Sequence, residues 1–315
     1  MEERYIAELP AGVVREHVRF ANRYGIELAA DLYHAESLDA DAKHPAVVVG
    51  PPYSGTKEQG PCVYAGELAQ RGYVVLTFDP PFFGESDGEP RFVSSPELYS
   101  ESFSASVDYL GVRVPYVDRE RIAAIGICGS GGFALSAAQV DVRIKAVVTA
   151  ALVDISANRA MIPSDQLEAT KRQLCERRWA DFEAGEPEVV HSFPETVSEK
   201  IPDEITDPMA REFFSFYGLE RGHHPRARGG FTTTSQLAFM QLRLLDYITE
   251  ISPRPVMLVA GEDAQTLPLS QMVYEAAAEP KELIVVPGAN HVDLYDDVAK
   301  IPFDRIDDFL KGTLA

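Results

Sequence analysis

Six short runs of almost unbroken apolar residues, at 46–49, 73–78, 121–127, 146–148, 256–259 and 282–286, constrain this chain more than any other feature. A strand with one face in water alternates apolar and polar residues. A strand covered on both faces does not alternate, and that coverage marks a parallel sheet with helices on either side. Helical stretches at 63–71, 96–112 and 132–140 fall between the runs. This βα order predicts a doubly wound sheet with right-handed crossovers. Before it, 13–20 and 26–33 do alternate, around Asn22-Arg23-Tyr24-Gly25, and predict an N-terminal antiparallel hairpin with one wet face.

From 156 to 248 the strand rhythm stops, and helix-like segments at 164–184, 207–217 and 234–249 take over, punctuated by Pro187, Pro194, Pro202 and Pro208. The expected organisation is therefore an α/β core of residues 1–155 and 249–315 with a helical cap inserted at 156–248. Parallel-sheet domains of this size are routine, and 315 residues suit one elaborated unit. Acidic residues number 49 against 29 Lys and Arg, a formal charge of −20, which disfavours nucleic acid and anionic membranes as partners. Cys62, Cys128 and Cys175 are three in number and lack C-x-x-C spacing, so neither a disulfide framework nor a zinc site is expected, and a reducing cytoplasm fits. Met1-Glu2-Glu3-Arg4 opens no apolar leader, and no run has the length of a membrane span.

The chemistry concentrates where the strand at 121–127 runs into Cys128-Gly129-Ser130-Gly131-Gly132 and then a helix. This is the context of a nucleophile elbow, a turn so sharp that small residues must stand two before and two after the nucleophile. Gly126 and Ser130 fill those places around Cys128. The helix N-terminus should favour a thiolate and a developing oxyanion. Ser130 is the alternative nucleophile, but it lies one residue beyond Gly129, past the strand end. Gly84-Glu85-Ser86-Asp87-Gly88 matches G-x-S-x-G literally, yet it leads into Glu89-Pro90 rather than a helix and reads as a surface turn.

A base is expected after the last strand, where His291 follows Pro287-Gly288-Ala289-Asn290. An orienting acid should follow the strand before it. Asp263 is the leading choice there, with neighbouring Glu262 and the earlier Asp154 as alternatives. Two N–H donors for an oxyanion hole are expected from Gly129 and from Tyr53, the first residue after Pro51-Pro52 with an N–H to give. Cap residues His223, His224, Phe213 and Tyr217 are candidate substrate contacts, although a solvated loop for the histidines and helix packing for the aromatics are the commoner readings. Asp79 is read as tying down the turn through Gly84, and Cys62 and Cys175 as ordinary thiols. No cofactor or metal is implied.

Several motifs together resemble the dienelactone-hydrolase-like branch of the α/β-hydrolases, which includes YcjY-type bacterial proteins and fungal polyketide transferases. They are Lys57-Glu58-Gln59, Phe78-Asp79 through Gly84-Glu85-Ser86-Asp87-Gly88, Gly126-Ile127-Cys128-Gly129-Ser130, Ser252-Pro253-Arg254-Pro255, and Pro287 to Asp296. The resemblance spans nearly the whole chain. It implies an α/β-hydrolase fold with Cys128 as nucleophile and His291 as base. Two departures stand out: Ser130 replaces a glycine, and Asp263 sits one residue earlier than the commonest Gly-x-x-Asp spacing.

The expected function is hydrolysis or acyl transfer on a small ester, thioester or polyketide-like substrate through a Cys128 acyl-enzyme. Carbon–carbon bond hydrolysis on the same residues is one alternative. A catalytically inert ligand-binding homologue is another, since a fold alone does not establish activity.

Overall fold

The computed structural model describes residues 4–315; residues 1–3, where the N-terminal reading begins, lie outside it. Strands β1 (Val13–Ala21) and β2 (Glu27–Ala35) form the antiparallel hairpin, in register from Val13 opposite Ala35 to Ala21 opposite Glu27. Asn22 closes the turn by accepting from the N–H groups of Tyr24 and Ile26, both at 3.0 Å. Alternating strands β3 (His44–Gly50), β4 (Val74–Phe78), β5 (Val117–Ile127) and β6 (Ile144–Ala150) are helices α1 (Gly60–Gln70), α2 (Pro96–Arg113) and α3 (Gly129–Val140).

Between β6 and the return to the sheet come α4 (Asn158–Met161), α5 (Leu167–Ala184), a two-residue strand β7 (Val189–Val190), α6 (Pro208–Tyr217), its partner β8 (Phe231–Thr232) and α7 (Gln236–Gln241). Then follow β9 (Val256–Gly261), α8 (Leu267–Ala276), β10 (Lys281–Val286), α9 (Asp293–Asp296) and α10 (Phe303–Thr313). The main sheet has the order β1-β2-β4-β3-β5-β6-β9-β10; β2 pairs antiparallel with β1 and β4, and the strands from β4 onward run parallel. This is the doubly wound, mostly parallel sheet that the apolar runs predicted, and the α/β-hydrolase fold that the family resemblance implied.

The physical basis is visible in the central strands. Val47, Val48 and Val49 of β3 and Ala123, Ala124 and Ile125 of β5 have no exposed surface, because helices cover both faces. The end strand β10 is only half-buried, and it opens on the charged pair Lys281-Glu282 before its apolar residues 283–286. Helix starts follow local chemistry: Ser95 caps α2 with Pro96 next, and Asp207 caps α6 by accepting from Ala210 N–H at 2.8 Å with Pro208 next. The segment at 156–248 differs from its helical reading in two ways. It contains the β7–β8 ribbon, and the helix read at 234–249 breaks at Leu242, whose extended φ of −113° and ψ of 143° end α7 early.

Candidate active site

Cys128, Asp263 and His291 follow the carboxyl ends of the parallel strands β5, β9 and β10, where loops can converge. Cys128 ends β5 and caps α3 with φ 55° and ψ −122°. That conformation is strained by roughly 1–3 kcal/mol for a residue with a Cβ. Three backbone bonds hold it: Cys128 N–H donates to Ala150 at 2.8 Å, and its carbonyl accepts from Gly131 at 2.9 Å and Val153 at 3.0 Å. A Cβ at Gly126 would come within 2.2 Å of the Ser130 carbonyl oxygen, so the turn requires glycine there. The Ser130 hydroxyl is committed elsewhere, donating to the Pro51 carbonyl and tying the elbow to the loop after β3.

The Cys128 thiol meets the backbone N–H groups of Tyr53 and Gly129 and the hydroxyl of Tyr295. Burial pushes its pKa above the ordinary thiol value, and these three contacts reverse that only in part. The helix N-terminus was expected to favour a thiolate, but desolvation of the charge outweighs it, and the resting group is a neutral thiol.

His291 is buried between β10 and α9. Its Nε2 lies 3.0 Å from the Tyr295 hydroxyl and its Nδ1 lies 2.6 Å from Thr266 Oγ1. Burial alone pushes it down to about 3, so the imidazole is neutral near pH 7. Its backbone N–H donates to Glu212 Oε1 at 2.6 Å, and that of Val292 donates to the same oxygen at 3.3 Å, so α6 helps fix the histidine loop.

Asp263 does not take the orienting place expected of it. Its N–H donates to Ala289 at 2.9 Å, which leaves the side chain exposed, and Thr266 holds Nδ1 instead. Glu262 accepts from Gly288 N–H at 3.2 Å, and Asp154 accepts from the N–H and hydroxyl of Ser156 at 2.9 and 2.5 Å. Among the described residues, no carboxylate is hydrogen-bonded to the imidazole. Thr266, five residues after Gly261, lies in no motif that would have singled it out, and Tyr295, four after the histidine, lies within the motif at 287–296 without a role assigned to it there.

The thiol opens into a cavity of about 480 Å³ walled by Tyr53, Phe193, Ile205, Phe213, Phe214 and Tyr217, with no charged side chain in its lining. Phe213 and Tyr217 are thus in place to meet a ligand. His223 and His224 are not: His223 Nε2 faces the Pro194 carbonyl at 3.2 Å, and His224 Nδ1 accepts from Arg226 N–H at 3.3 Å. Both are buried beneath the segment rather than lining the cavity, because Gln59 draws that loop inward by donating to Gly222 at 2.6 Å.

Next to the loop after β3 lies a dense charge cluster. Lys57 Nζ contacts Glu58, Glu85 at 2.7 Å and Asp79 at 3.6 Å, and Arg226 reaches Glu58 at 2.7 Å and Glu85 at 3.2 Å. Glu58, Asp79 and Glu85 stand close enough to ligate a cation, with ligand atoms within 4.8 Å of one another, but the Lys57 ammonium already contacts all three. Asp79 does tie down the turn: its two oxygens accept from Lys57 and Glu85 N–H groups, both at 2.8 Å, and a Cβ at Gly84 would lie 2.1 Å from one of them. Ser86 is not at a surface turn. It is buried, accepts from Ala29 N–H at 2.8 Å and donates to the Asp79 carbonyl at 2.6 Å.

Comparison with known proteins agrees with this architecture. Residues 60–301 match the model of the alpha/beta hydrolase family. The chain is 45% identical to the uncharacterized protein PA2218 of Pseudomonas aeruginosa over 96% of its own length and 81% of that protein. It is 31% identical to YcjY of Escherichia coli, covering 89% and 92%, and 27% identical to thiohydrolase aneE of Aspergillus aculeatus, covering 95% and 94%. Among solved structures, that of PA2218 superposes with a TM-score of 0.92 at 43% identity, covering 98% of this chain and 96% of that one. The alpha/beta hydrolase GrgF from Penicillium superposes with a TM-score of 0.78 at 25% identity, covering 96% and 99%. Among the described residues, no helix is long and apolar enough to cross a membrane. On its fold, its elbow and these relationships, the chain is an enzyme and belongs to the alpha/beta hydrolase family.

Proposed function

We propose that this enzyme cleaves a small ester or thioester, or transfers its acyl group, through a covalent acyl-enzyme on Cys128. The carrying observation is the thiol at the apex of a strained elbow, facing two backbone N–H donors at the wall of an apolar cavity. In the reaction the sulfur attacks the carbonyl carbon, whose oxygen takes the N–H groups of Tyr53 and Gly129 as negative charge develops. His291 is the terminal base. Collapse of the tetrahedral species expels a thiol or alcohol and leaves the acyl group on Cys128. Water then completes hydrolysis, or a second hydroxyl completes transfer.

The cavity supports an acyl group that is apolar or aromatic, since a charged one would lose its hydration without a partner. The relatives lend support: aneE is named a thiohydrolase and GrgF a polyketide transferase, so hydrolysis or acyl transfer on a small substrate is the common ground. The segment at 156–248 acts as the cap in this reading, supplying Phe213, Phe214 and Tyr217 to the cavity wall. A thiol nucleophile needs a reducing compartment, which fits the cytoplasm.

Mass mapping of enzyme quenched during turnover of an aryl thioester tests the proposal. The acyl group should sit on the Cys128 peptide and be absent from Cys128→Ala. An acyl group on Ser130, or turnover undiminished in Cys128→Ala, overturns it. Preference for a β-diketone over both ester and thioester would instead favour carbon–carbon cleavage.

A further inference from the structure

The acyl-enzyme route needs the Cys128 proton removed, yet the tyrosine hydroxyl of α9, not the thiol, meets the imidazole. Tyr295 is fully buried; its oxygen lies 3.0 Å from His291 Nε2, and the Cys128 thiol and the Tyr217 hydroxyl are its other polar neighbours. A hydrogen inventory gives this chain a direction. The thiol has one hydrogen, and two of its three polar neighbours, the N–H groups of Tyr53 and Gly129, can only donate. Of the three, only the Tyr295 oxygen can take the S–H. In the tautomer that carries its hydrogen on Nδ1 and gives it to Thr266, the imidazole offers a lone pair at Nε2 that the Tyr295 O–H can fill. Tyr217 then donates to the second lone pair of Tyr295, and every group in the chain is satisfied.

We propose that Tyr295 is a catalytic residue, whose hydroxyl carries the proton from Cys128 to His291 during acylation and returns it to the leaving group. This rests on the acyl-enzyme reading. As sulfur bonds to the carbonyl carbon, the S–H bond breaks and its proton joins the Tyr295 oxygen. The original Tyr295 O–H breaks at the same time, and that proton joins Nε2. The phenol is neutral before and after, His291 becomes imidazolium, and the electron pair of the carbonyl resides on the oxyanion. On collapse the two transfers reverse, and the departing sulfur or oxygen leaves protonated. Burial pushes Tyr295 ionisation well above the ordinary tyrosine value, which suits a phenol that passes a proton without becoming an anion.

The test is the burst of thiol release from a thioester under single-turnover conditions, which isolates acylation. Tyr295→Phe should slow it by about 100-fold or more, with substrate affinity changed little, as expected for loss of a proton-transferring group. Replacing Tyr295 with 3,5-difluorotyrosine keeps ring, hydroxyl and packing while making the phenol more acidic. Acylation should persist, but its alkaline limb should move to lower pH, because a phenolate has no proton to hand to His291. Acylation of Cys128 in Tyr295→Phe within about threefold of wild type overturns the relay and leaves the cysteine reading standing. An alkaline limb unmoved by fluorination overturns it as well, even if the phenylalanine variant does not fold. Absence of any acyl group on wild-type Cys128 removes the underlying reading instead.

Discussion

Replacing Lys57 with Met removes one ammonium from the cluster next to the loop after β3 and retains the stem and the backbone N–H that Asp79 accepts from. The side chains of Lys57, Glu58 and Asp79 are at most 1% exposed, so solvent does not screen their interactions as it does at a surface. Burial raises the Glu58 carboxyl, but the Lys57 ammonium leads the groups that outweigh it and hold the carboxyl at about 2, against an ordinary 4.5. At about 1.4 kcal/mol per pKa unit, that depression corresponds to roughly 3 kcal/mol of stability, present above pH 4.5 and lost as pH falls towards 2. Removing one partner of a buried ion pair costs about 3–5 kcal/mol, a consistent figure.

Urea unfolding at pH 7 should therefore show Lys57→Met less stable by about 3–5 kcal/mol. Glu58→Gln in the same background should recover part of it, because it removes the stranded charge. The gap between wild type and variant should narrow as pH falls through the Glu58 range. Asp79 acts in the same direction. Burial pushes it up to about 7, and without the ammonium it rises further, so the variant loses additional stability as the pH climbs and that carboxyl is forced to ionise. A loss below about 1 kcal/mol, the figure for exposed pairs, with no dependence on pH, would refute the reasoning.

Thr266→Val should lower acylation about tenfold or more by releasing the imidazole, whereas Asp263→Asn should leave it near wild type; the reverse order in single-turnover rates would restore Asp263 as the orienting acid. Because burial holds His291 at about 3, it remains an unprotonated base far below the ordinary histidine range, and acylation should be level between about pH 8 and 5 wherever the protein stays folded. A half-loss near 6.5 would count against that environment. In a Cys175→Ser background, with Cys62 pushed up to about 12 by burial, iodoacetamide reports on Cys128, and its rate should keep rising through about pH 9. A plateau at neutral pH would reveal a resting thiolate instead.

The sequence was readable where one physical constraint acts on consecutive residues. Double-sided burial writes itself directly into runs such as 46–49 and 121–127. The elbow is similarly local, since the φ of 55° at Cys128 dictates Gly126 two residues away. Tyr53 could be picked out of the loop after β3 because Pro51 and Pro52 have no N–H. The orienting group for His291 could not, because it depends on how two loops from neighbouring strands pack. The Asp263 N–H bonds to Ala289 and turns its carboxylate outward, while Thr266 at the start of α8 arrives at the ring. Tyr295 is one of 13 tyrosines, and only the short α9 turn brings it beside His291. The histidine pair at 223 and 224 misled for a related reason: a polar dipeptide in a loop reads as wet, yet Gln59 and the charge cluster draw this one inside.

The same loop shows why the two halves of the site are mechanically linked. Glu212 on α6 accepts from the N–H groups of His291 and Val292, and Arg221 reaches Asp293 at 3.1 Å and Asp296 at 2.6 Å, so this stretch fastens the histidine side. A few residues later Arg226 pairs with Glu58 and Glu85, and Gln59 holds the Gly222 carbonyl, so it also fastens the oxyanion side. Between these anchors stand Phe213, Phe214 and Tyr217, which wall the cavity, and Tyr217 also bonds to Tyr295. A group filling the cavity therefore presses on the stretch that is fastened both to the His291 loop and to the residues next to the Tyr53 loop, the base and the donor of the proposed reaction. Apart from the neutral Gln59–Gly222 bond, each anchor is charge-assisted and partly or fully buried, which makes it stronger than a surface pair and directional as well. Binding energy from the acyl group, remote from the reacting carbonyl, thus has a covalently continuous path of about fifteen residues, 212–226, through which to set the catalytic geometry.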